Sequence, residues 1–218
     1  MPQPGVFLEV ISYAANAQID ISASLEKKYP EGLDMPELFI AAAERYAERK
    51  RAANALDFDD LLIYWLRLLH KPAIQKKLQG LWEYILVDEY QDTNTVQDEI
   101  VRLLAAAHQN VLVVGDDAQS IYSFRAAEIR NILDFPKRFP DTKIFKLEEN
   151  YRSSPEILEV ANEVIRFNAD QFQKNLFTEQ ENFVKPELVL AQEPVEEASL
   201  IAERIMALED EGVPLQTI

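Results

Sequence analysis

Residues 84–93 read YILVDEYQDT and residues 111–120 read VLVVGDDAQS. Each is an apolar run that ends in two adjacent carboxylates, Asp88-Glu89 and Asp116-Asp117. Charges at the end of a buried strand are costly unless they face a ligand. An Asp-Glu pair placed there suits the hydrolysis of a nucleoside triphosphate, the Walker B pattern. One acid holds Mg²⁺ through its water shell while the cation neutralises the β- and γ-phosphates. The second orients the attacking water or takes its proton. As a bare dipeptide, Asp-Glu is more often two solvated acids in a turn. The four acids could also hold two Mg²⁺ ions in a metal hydrolase or nuclease. Only His70 and His108 are available to help. Both fall at helix ends, where histidine more often meets the helix dipole than a metal. No serine-histidine-acid arrangement finds support.

The elements that must position these acids alternate. YILVDEY reads as one buried strand and NVLVVGDD as a second. Thr93 to Ala107 reads as the helix between them, with Val96, Ile100, Leu103 and Leu104 on one face. Upstream, residues 1–32 lack clear periodicity and read as irregular or short helical pieces. Met35 to about Asn54 predicts an amphipathic helix, with Leu38, Ala42, Arg45, Tyr46 and Arg49 at helical spacing. Asp57-Phe58-Asp59-Asp60 opens a second helix, LLIYWLRLLH, and Pro72 lies just past its end. Downstream, IRNILDFPKRFP predicts a short helix and KIFKLEENY a third strand. Ser154-Pro155 opens a helix, with the serine as cap and the proline in the first turn. Ile157, Leu158, Ala161, Val164 and Ile165 form its buried side. Asn168 to Lys185 reads as a loop, PELVLAQ as a fourth strand, and EEASLIAERIMALEDEG as a last helix stopped by Gly212. Apolar strands alternating with helices predict an α/β fold, a parallel sheet covered by helices. Ligands of such sheets sit beyond the carboxyl ends of the strands, where both acid pairs lie.

Composition narrows the classes. The chain has 218 residues, 48% of them hydrophobic, and no apolar run of membrane-spanning length. It carries no cysteine, which removes disulfides and thiolate metal sites and fits a reducing cytosol. The net charge is −16, so nucleic acid would have to meet a local patch rather than the average surface. None of the five glycines precedes a lysine, and no pair has the spacing of a phosphate-cradling loop.

Four stretches, LDFDDLL, ILVDEYQDTN, VLVVGDDAQSIYSFRAA and LEENYRSSPEIL, occur in an order and at a spacing that resemble the UvrD/Rep/PcrA family of superfamily 1 DNA helicases. The resemblance is strong from about Leu56 to Ser154 and weaker towards both ends. It implies RecA-like motor domains, ATP and Mg²⁺ as ligands, and a cytoplasmic motor. By position, Asp88 matches the magnesium ligand and Glu89 the catalytic base. Gln91 and Asp92 match residues that couple the nucleotide site to its surroundings. Gln119 matches a sensor of the γ-phosphate, since an amide donates to a phosphate oxygen. Tyr122 and Phe124 match aromatics beside single-stranded DNA, Phe124 by stacking on a base, whose π-face any sequence offers. Without the motif Phe124 would read as a core aromatic. Tyr151 matches the residue that stacks on adenine. Arg152 matches an arginine finger that reaches the γ-phosphate from the second motor domain, a task suited to a planar, always charged group. The family usually carries Arg-Gly-Ala where this chain has Arg125-Ala126-Ala127. Either the backbone there is ordinary or the turn is adjusted, because alanine tolerates a positive φ poorly.

The resemblance also implies that parts are missing, namely the N-terminal phosphate loop and the later motifs of the second motor domain. The expectation is an internal piece of a longer helicase, inactive by itself. Residues 1–52 would end a helical insertion subdomain, 53–147 would form the C-terminal part of the first motor domain, and 148–218 would begin the second. Its partners would be single-stranded and duplex DNA, through the parent protein, and the missing parts of the same motor. Open sheet edges would permit a homodimer. The rival reading is an ATPase-dead relative that serves as a binding module for protein or DNA.

Overall fold

The computed structural model describes residues 2–218. The chain divides into two units, Met1–Lys146 with Asn168–Lys174, and Leu147–Phe167 with Asn175–Ile218.

The first unit opens with helices, not irregular chain. Helix α1 runs Pro4–Ala17 and α2 Ile21–Lys28. The expectation of irregular structure over 1–32 is therefore corrected. Helix α1 is apolar almost all round, so it shows little of the face-to-face contrast that reveals a helical period. Its start is set by Pro4 in the first turn and its end by Gln18, left-handed at φ 56°. Asp20 then caps α2, accepting from the Ala23 N–H at 2.7 Å. Helix α3, Pro36–Ala52, follows its predicted span. Val10, Leu25 and Phe39 close a small core among these three helices.

Asp57 caps α4, Phe58–Leu69, in a reciprocal box with Asp60. Lys50 bridges both carboxylates at 2.6 Å each. Pro72, expected only beyond the helix, also begins the next, α5, Pro72–Gln79, because its lost N–H is unneeded at a first helical position. Strands β1, Ile85–Val87, and β2, Val111–Val113, pair in parallel, with Ile85 opposite Val111 and Val87 opposite Val113. Helix α6, Thr95–Ala105, makes the crossover. It meets α4 around Leu66, Leu69, Val96, Ile100 and Leu104, with Ile85 against them. Helices α7, Arg130–Leu133, and α8, Phe135–Arg138, bring Ile132 and Phe135 to Tyr90, packed against Val87, Val111 and Val113. So the parallel α/β arrangement holds, but the sheet is small and the fold mostly helical. Leu86 and Leu112, paired on the other face, are 71% and 53% exposed.

In the second unit, the expected third and fourth strands are absent. KIFKLEENY, which begins at the end of the first unit, forms no strand; its Glu149 makes a single parallel bridge to Phe177, and PELVLAQ takes part in no ladder or bridge among the described residues. Strand character needs a ladder partner as well as β-branched residues. Helix α9, Pro155–Ile165, starts at the predicted proline, but Ser154 accepts no capping bond from the backbone. Asn150 serves the approach instead, its Oδ1 accepting from the N–H groups of Arg152 and Ser153 at 2.9 and 2.8 Å. Of the five residues expected on its buried side, only Leu158 is buried. Helix α10, Pro194–Asp210, ends as predicted beside Gly212, left-handed at φ 89°. Among the described residues no helix is long and apolar enough to cross a membrane.

Candidate functional site

The two strands end differently, and that difference builds the site. The Val114 N–H donates to the Val87 carbonyl at 2.8 Å. A regular parallel ladder would then bring the residue-89 N–H to the Val114 carbonyl. The Tyr90 N–H arrives instead, at 2.9 Å. The chain therefore holds one residue in excess, and Glu89 takes it up in left-handed backbone, φ 50° and ψ 45°. Such a residue behaves as a bulge and breaks the strict two-face alternation of a strand. It is also strained, and surrounding structure must hold it there. Tyr90 supplies that hold. It is fully buried, its ring meets Phe135 edge-on, and its hydroxyl donates to Asp98 Oδ1 at 2.7 Å. Burial, reinforced by Asp98, pushes the Tyr90 phenol far up, so it remains a donor.

Gln91 links the two strand ends. It is almost wholly buried. Its Nε2 donates to Glu89 Oε2 at 2.8 Å, and its Oε1 accepts from the Asp116 N–H at 3.0 Å. Asp116 Oδ2 in turn accepts from Gln119 Nε2 at 2.8 Å. Glu89, Gln91, Asp116 and Gln119 thus form one continuous hydrogen-bonded chain. Gly115 makes room for it: a Cβ there would stand 2.6 Å from Gln91 Oε1 and 2.7 Å from Ile132 Cδ1. Burial pushes the Asp116 carboxyl up, but Lys174, Gln119 and the Ala118 N–H outweigh it and hold it below the usual range. Asp92 moves the other way, raised by burial and by the nearby charge of Glu89.

Asp88 and Glu89 are both exposed. Asp88 Oδ1 accepts from the Glu89 N–H at 2.9 Å, which fixes the carboxylate. Among the described residues no group of three or more His, Cys, Asp or Glu side chains converges as for a metal ion. The donor set fits magnesium, which keeps most of its waters and takes one or two carboxylates plus phosphate oxygens. It does not fit an ion caged by protein alone. Asp117 is buried, and Lys174 pairs with both Asp116 and Asp117.

The Tyr122 and Phe124 rings lie 5.8 Å apart beyond the β2 end, with the Arg125 guanidinium 5.2 and 5.4 Å from their centroids. Phe124 is 54% exposed and so is no core aromatic. The turn after it is the adjusted one: Ala126 is left-handed, φ 64° and ψ 19°, and buried. Tyr151 and Arg152 belong to the second unit. Tyr151 is exposed, and a hydrogen bond to Glu149 raises its phenol. Arg152 is also exposed and makes no salt bridge among the described residues.

Residues 5–140 match the model of the UvrD/REP helicase N-terminal domain, well over half of the chain. The chain belongs to the UvrD/REP helicase family. Residues 145–218 match the UvrD-like helicase C-terminal domain. Among curated UvrD/REP relatives, the ATP-dependent DNA helicase PcrA of Staphylococcus aureus (strain NCTC 8325 / PS 47) is 38% identical over 216 residues, 98% of this chain and 29% of that protein. A probable DNA helicase II homolog of Rickettsia felis is 45% identical over 163 residues, 74% of this chain and 25% of the relative. The chain thus spans less than a third of the relatives it matches. Two participants in this UvrD/REP chain, Lys174 and Gly115, are not among the site residues expected from sequence. Lys174 lies 58 residues from Asp116, and nothing near it in sequence signals the contact. Gly115 did carry a signal, as a glycine set between a β-branched run and an acid pair.

Proposed function

We propose that this chain supplies part of the nucleotide machinery of an ATP-dependent DNA helicase that moves along single-stranded DNA and unwinds duplex DNA. The single observation that carries the reading is the hydrogen-bonded chain from Glu89 through Gln91 and Asp116 to Gln119, strung across the ends of two parallel strands. The matched family and the names of the relatives agree with it. Residues 1–52 are proposed to end a helical insertion, 53–147 to complete a first RecA-like domain, and 148–218 to begin a second.

Asp88 would hold magnesium, which when bound neutralises the β- and γ-phosphates. Glu89 takes a proton from, or orients, the attacking water; its strained backbone sets the carboxylate and Gln91 fixes one oxygen. Gln119 exchanges Asp116 for a γ-phosphate oxygen, and so its amide reports whether that phosphate is present. Arg152 serves as the arginine finger and Tyr151 as the adenine platform. Tyr122 and Phe124 offer stacking faces to bases of single-stranded DNA, and Arg125 adds charge beside them. The 218 residues contain no phosphate-cradling loop, so the isolated chain is expected to turn over no ATP.

The test compares phosphate release by the complete gene product, by its Glu89→Gln variant and by the isolated chain. Glu89→Gln should bind ATP normally and lose at least about a hundred-fold in turnover, the usual scale for a general base. Unchanged turnover in that variant removes Glu89 from its role. Turnover by the isolated chain at the rate of the complete protein refutes its dependence on other segments.

A further inference from the structure

Residues Asn168–Lys174 follow α9 in sequence, yet they belong to the first unit while the chain on either side belongs to the second. Four attachments hold them. Arg130 pairs with Asp170, and Lys146 donates to the Gln173 carbonyl. Phe172 packs against the Tyr90, Ile132 and Phe135 core, and its N–H donates to Asp117 Oδ2 at 3.1 Å. Lys174, only 15% exposed, pairs with Asp116 and lies 3.4 Å from Asp117 Oδ1. The last two attachments land on the acid pair that carries Gln119.

Asp116 has two oxygens and three side-chain or backbone donors. Oδ1 takes Lys174 and the Ala118 N–H at 2.9 Å; Oδ2 takes the Gln119 amide at 2.8 Å. The ammonium matters for what Gln119 must later do. With Lys174 present, Asp116 is compensated and holds Gln119 through one oxygen only. Without it, the amide would face the full negative potential of the carboxylate, which the nearby ammonium otherwise lowers, and would be held more firmly. The same bare charge would stand where a negative phosphate has to approach.

We propose that Lys174 is a positioning residue for Gln119: by compensating Asp116 it leaves the glutamine amide free to pass to an incoming γ-phosphate. The proposal rests on the nucleotide reading above. It gives the 168–174 strap a purpose, since the strap delivers the one cation that pairs with this acid pair among the described residues.

Two measurements test it, and they fail separately. In the isolated chain, the Gln119 side-chain NH₂ signals in a ¹H–¹⁵N spectrum, assigned by their loss in Gln119→Ala, should shift in Lys174→Met and stay in place in Lys174→Arg. Signals unmoved by Lys174→Met overturn the proposal and leave the nucleotide reading intact. In the complete gene product, Lys174→Met should raise KM for ATP about ten-fold with kcat changed less than two-fold, and Lys174→Arg should restore KM, the scale of one charged hydrogen bond. An unchanged KM, or a loss confined to kcat, also overturns it. If Lys174→Met does not fold, Asp116→Asn with Lys174→Met removes both charges. That pair should match Asp116→Asn alone, and any further loss in the pair overturns the proposal. If Glu89→Gln leaves turnover unchanged in the same assay, the nucleotide reading falls, and the KM part of the proposal falls with it.

Discussion

Ile85-Leu86-Val87 and Leu188-Val189-Leu190 have almost the same composition and opposite outcomes. The first is a strand with Ile85 and Val87 set against two cores. The second forms no strand, and Leu188 and Leu190 are 84% and 82% exposed. Side chains alone do not separate them. What separates them is β2, which completes a ladder for the first, and the crossover helix α6, which lays a core beneath it. The same contrast holds for strain. Among the described residues, the five left-handed ones other than glycine, Gln18, Asn54, Glu89, Gln109 and Ala126, lie in the first unit, and the second holds Gly212. Strained backbone persists where burial and hydrogen bonds determine it more than once. The acid pair sits where such support is dense.

The sharpest way to break this comparison is to cut one leucine from each side of it. Leu69 is fully buried between α4 and α6, so Leu69→Ala should cost about 2–5 kcal/mol. Leu190→Ala should cost less than about 0.5 kcal/mol. Both tryptophans, Trp65 and Trp82, lie in the first unit, so their fluorescence in a urea titration follows that unit directly. Circular dichroism over the same titration covers the rest. A loss of more than 1 kcal/mol from Leu190→Ala, on the scale of a buried side chain, would mean that the 188–190 segment is packed after all.

The next effect is smaller and bears on the site itself. At Gly115 an added Cβ meets Gln91 Oε1, Ile132 Cδ1 and, at 3.2 Å, the Tyr90 nitrogen. Backbone cannot yield as a flexible side chain can, so Gly115→Ala should cost about 1–3 kcal/mol. Gly80, at the end of α5, offers the control. Its nearest atoms would be 3.6 Å away and its φ is −82°, so Gly80→Ala should be neutral or stabilising by up to about 1 kcal/mol. Equal costs at the two glycines would show that Gly115 is not holding a place for Gln91.

Acid titration sharpens the comparison further. Burial pushes the Asp57 carboxyl up, but the hydrogen bonds from Lys50, from the Asp60 N–H and from the Tyr46 hydroxyl outweigh it and leave it lowered. Asp116 is lowered in the same sense. A carboxyl depressed on folding adds stability that is complete above its unfolded value of about 3.9 and is lost as pH falls through the folded one. The first unit should therefore lose stability below about pH 4. Asp57→Asn should be less stable at pH 7 and should flatten that acid slope, as read from melting temperatures between pH 3 and 7. A slope unchanged by Asp57→Asn would place the acid sensitivity elsewhere.

These contrasts also explain what could be read from the residues alone. Both strands of the sheet, α3, α4, α6 and the acid pair at each strand end were legible, because periodicity and caps are local signals. Helix α1 was not, because an almost uniformly apolar helix hides its period. The two missing strands misled because short apolar runs report a preference and say nothing about a partner. The buried side of α9 misled for the same reason, since an amphipathic face says where a neighbour would go and cannot supply one. Within the site, Asp88, Glu89 and Gln119 were legible as motif positions, whereas the bulge at Glu89 and the reach of Lys174 depend on contacts between distant residues. The residue types around Ala126 allow two backbone geometries, and burial of its methyl in the fold selects the left-handed one.

That turn yields the smallest expected effect. Left-handed backbone costs alanine about 1 kcal/mol relative to glycine, which would make Ala126→Gly stabilising. Two terms oppose it. Glycine adds about 0.4–1 kcal/mol of chain entropy to the unfolded state. The Ala126 methyl is buried, only 4% of the residue being exposed, and its removal forfeits up to about 0.8 kcal/mol of apolar burial. The sum lies near zero, slightly on the destabilising side, and the melting temperature should move by less than about 3 °C for a chain of this size. A gain of 5 °C or more would mean that the strain at Ala126 exceeds what a buried methyl returns, and that the alanine is kept for the pose of Phe124 rather than for stability. A result near zero means that alanine costs the fold nothing where the family usually carries glycine, because the contacts of one buried methyl offset the backbone it strains.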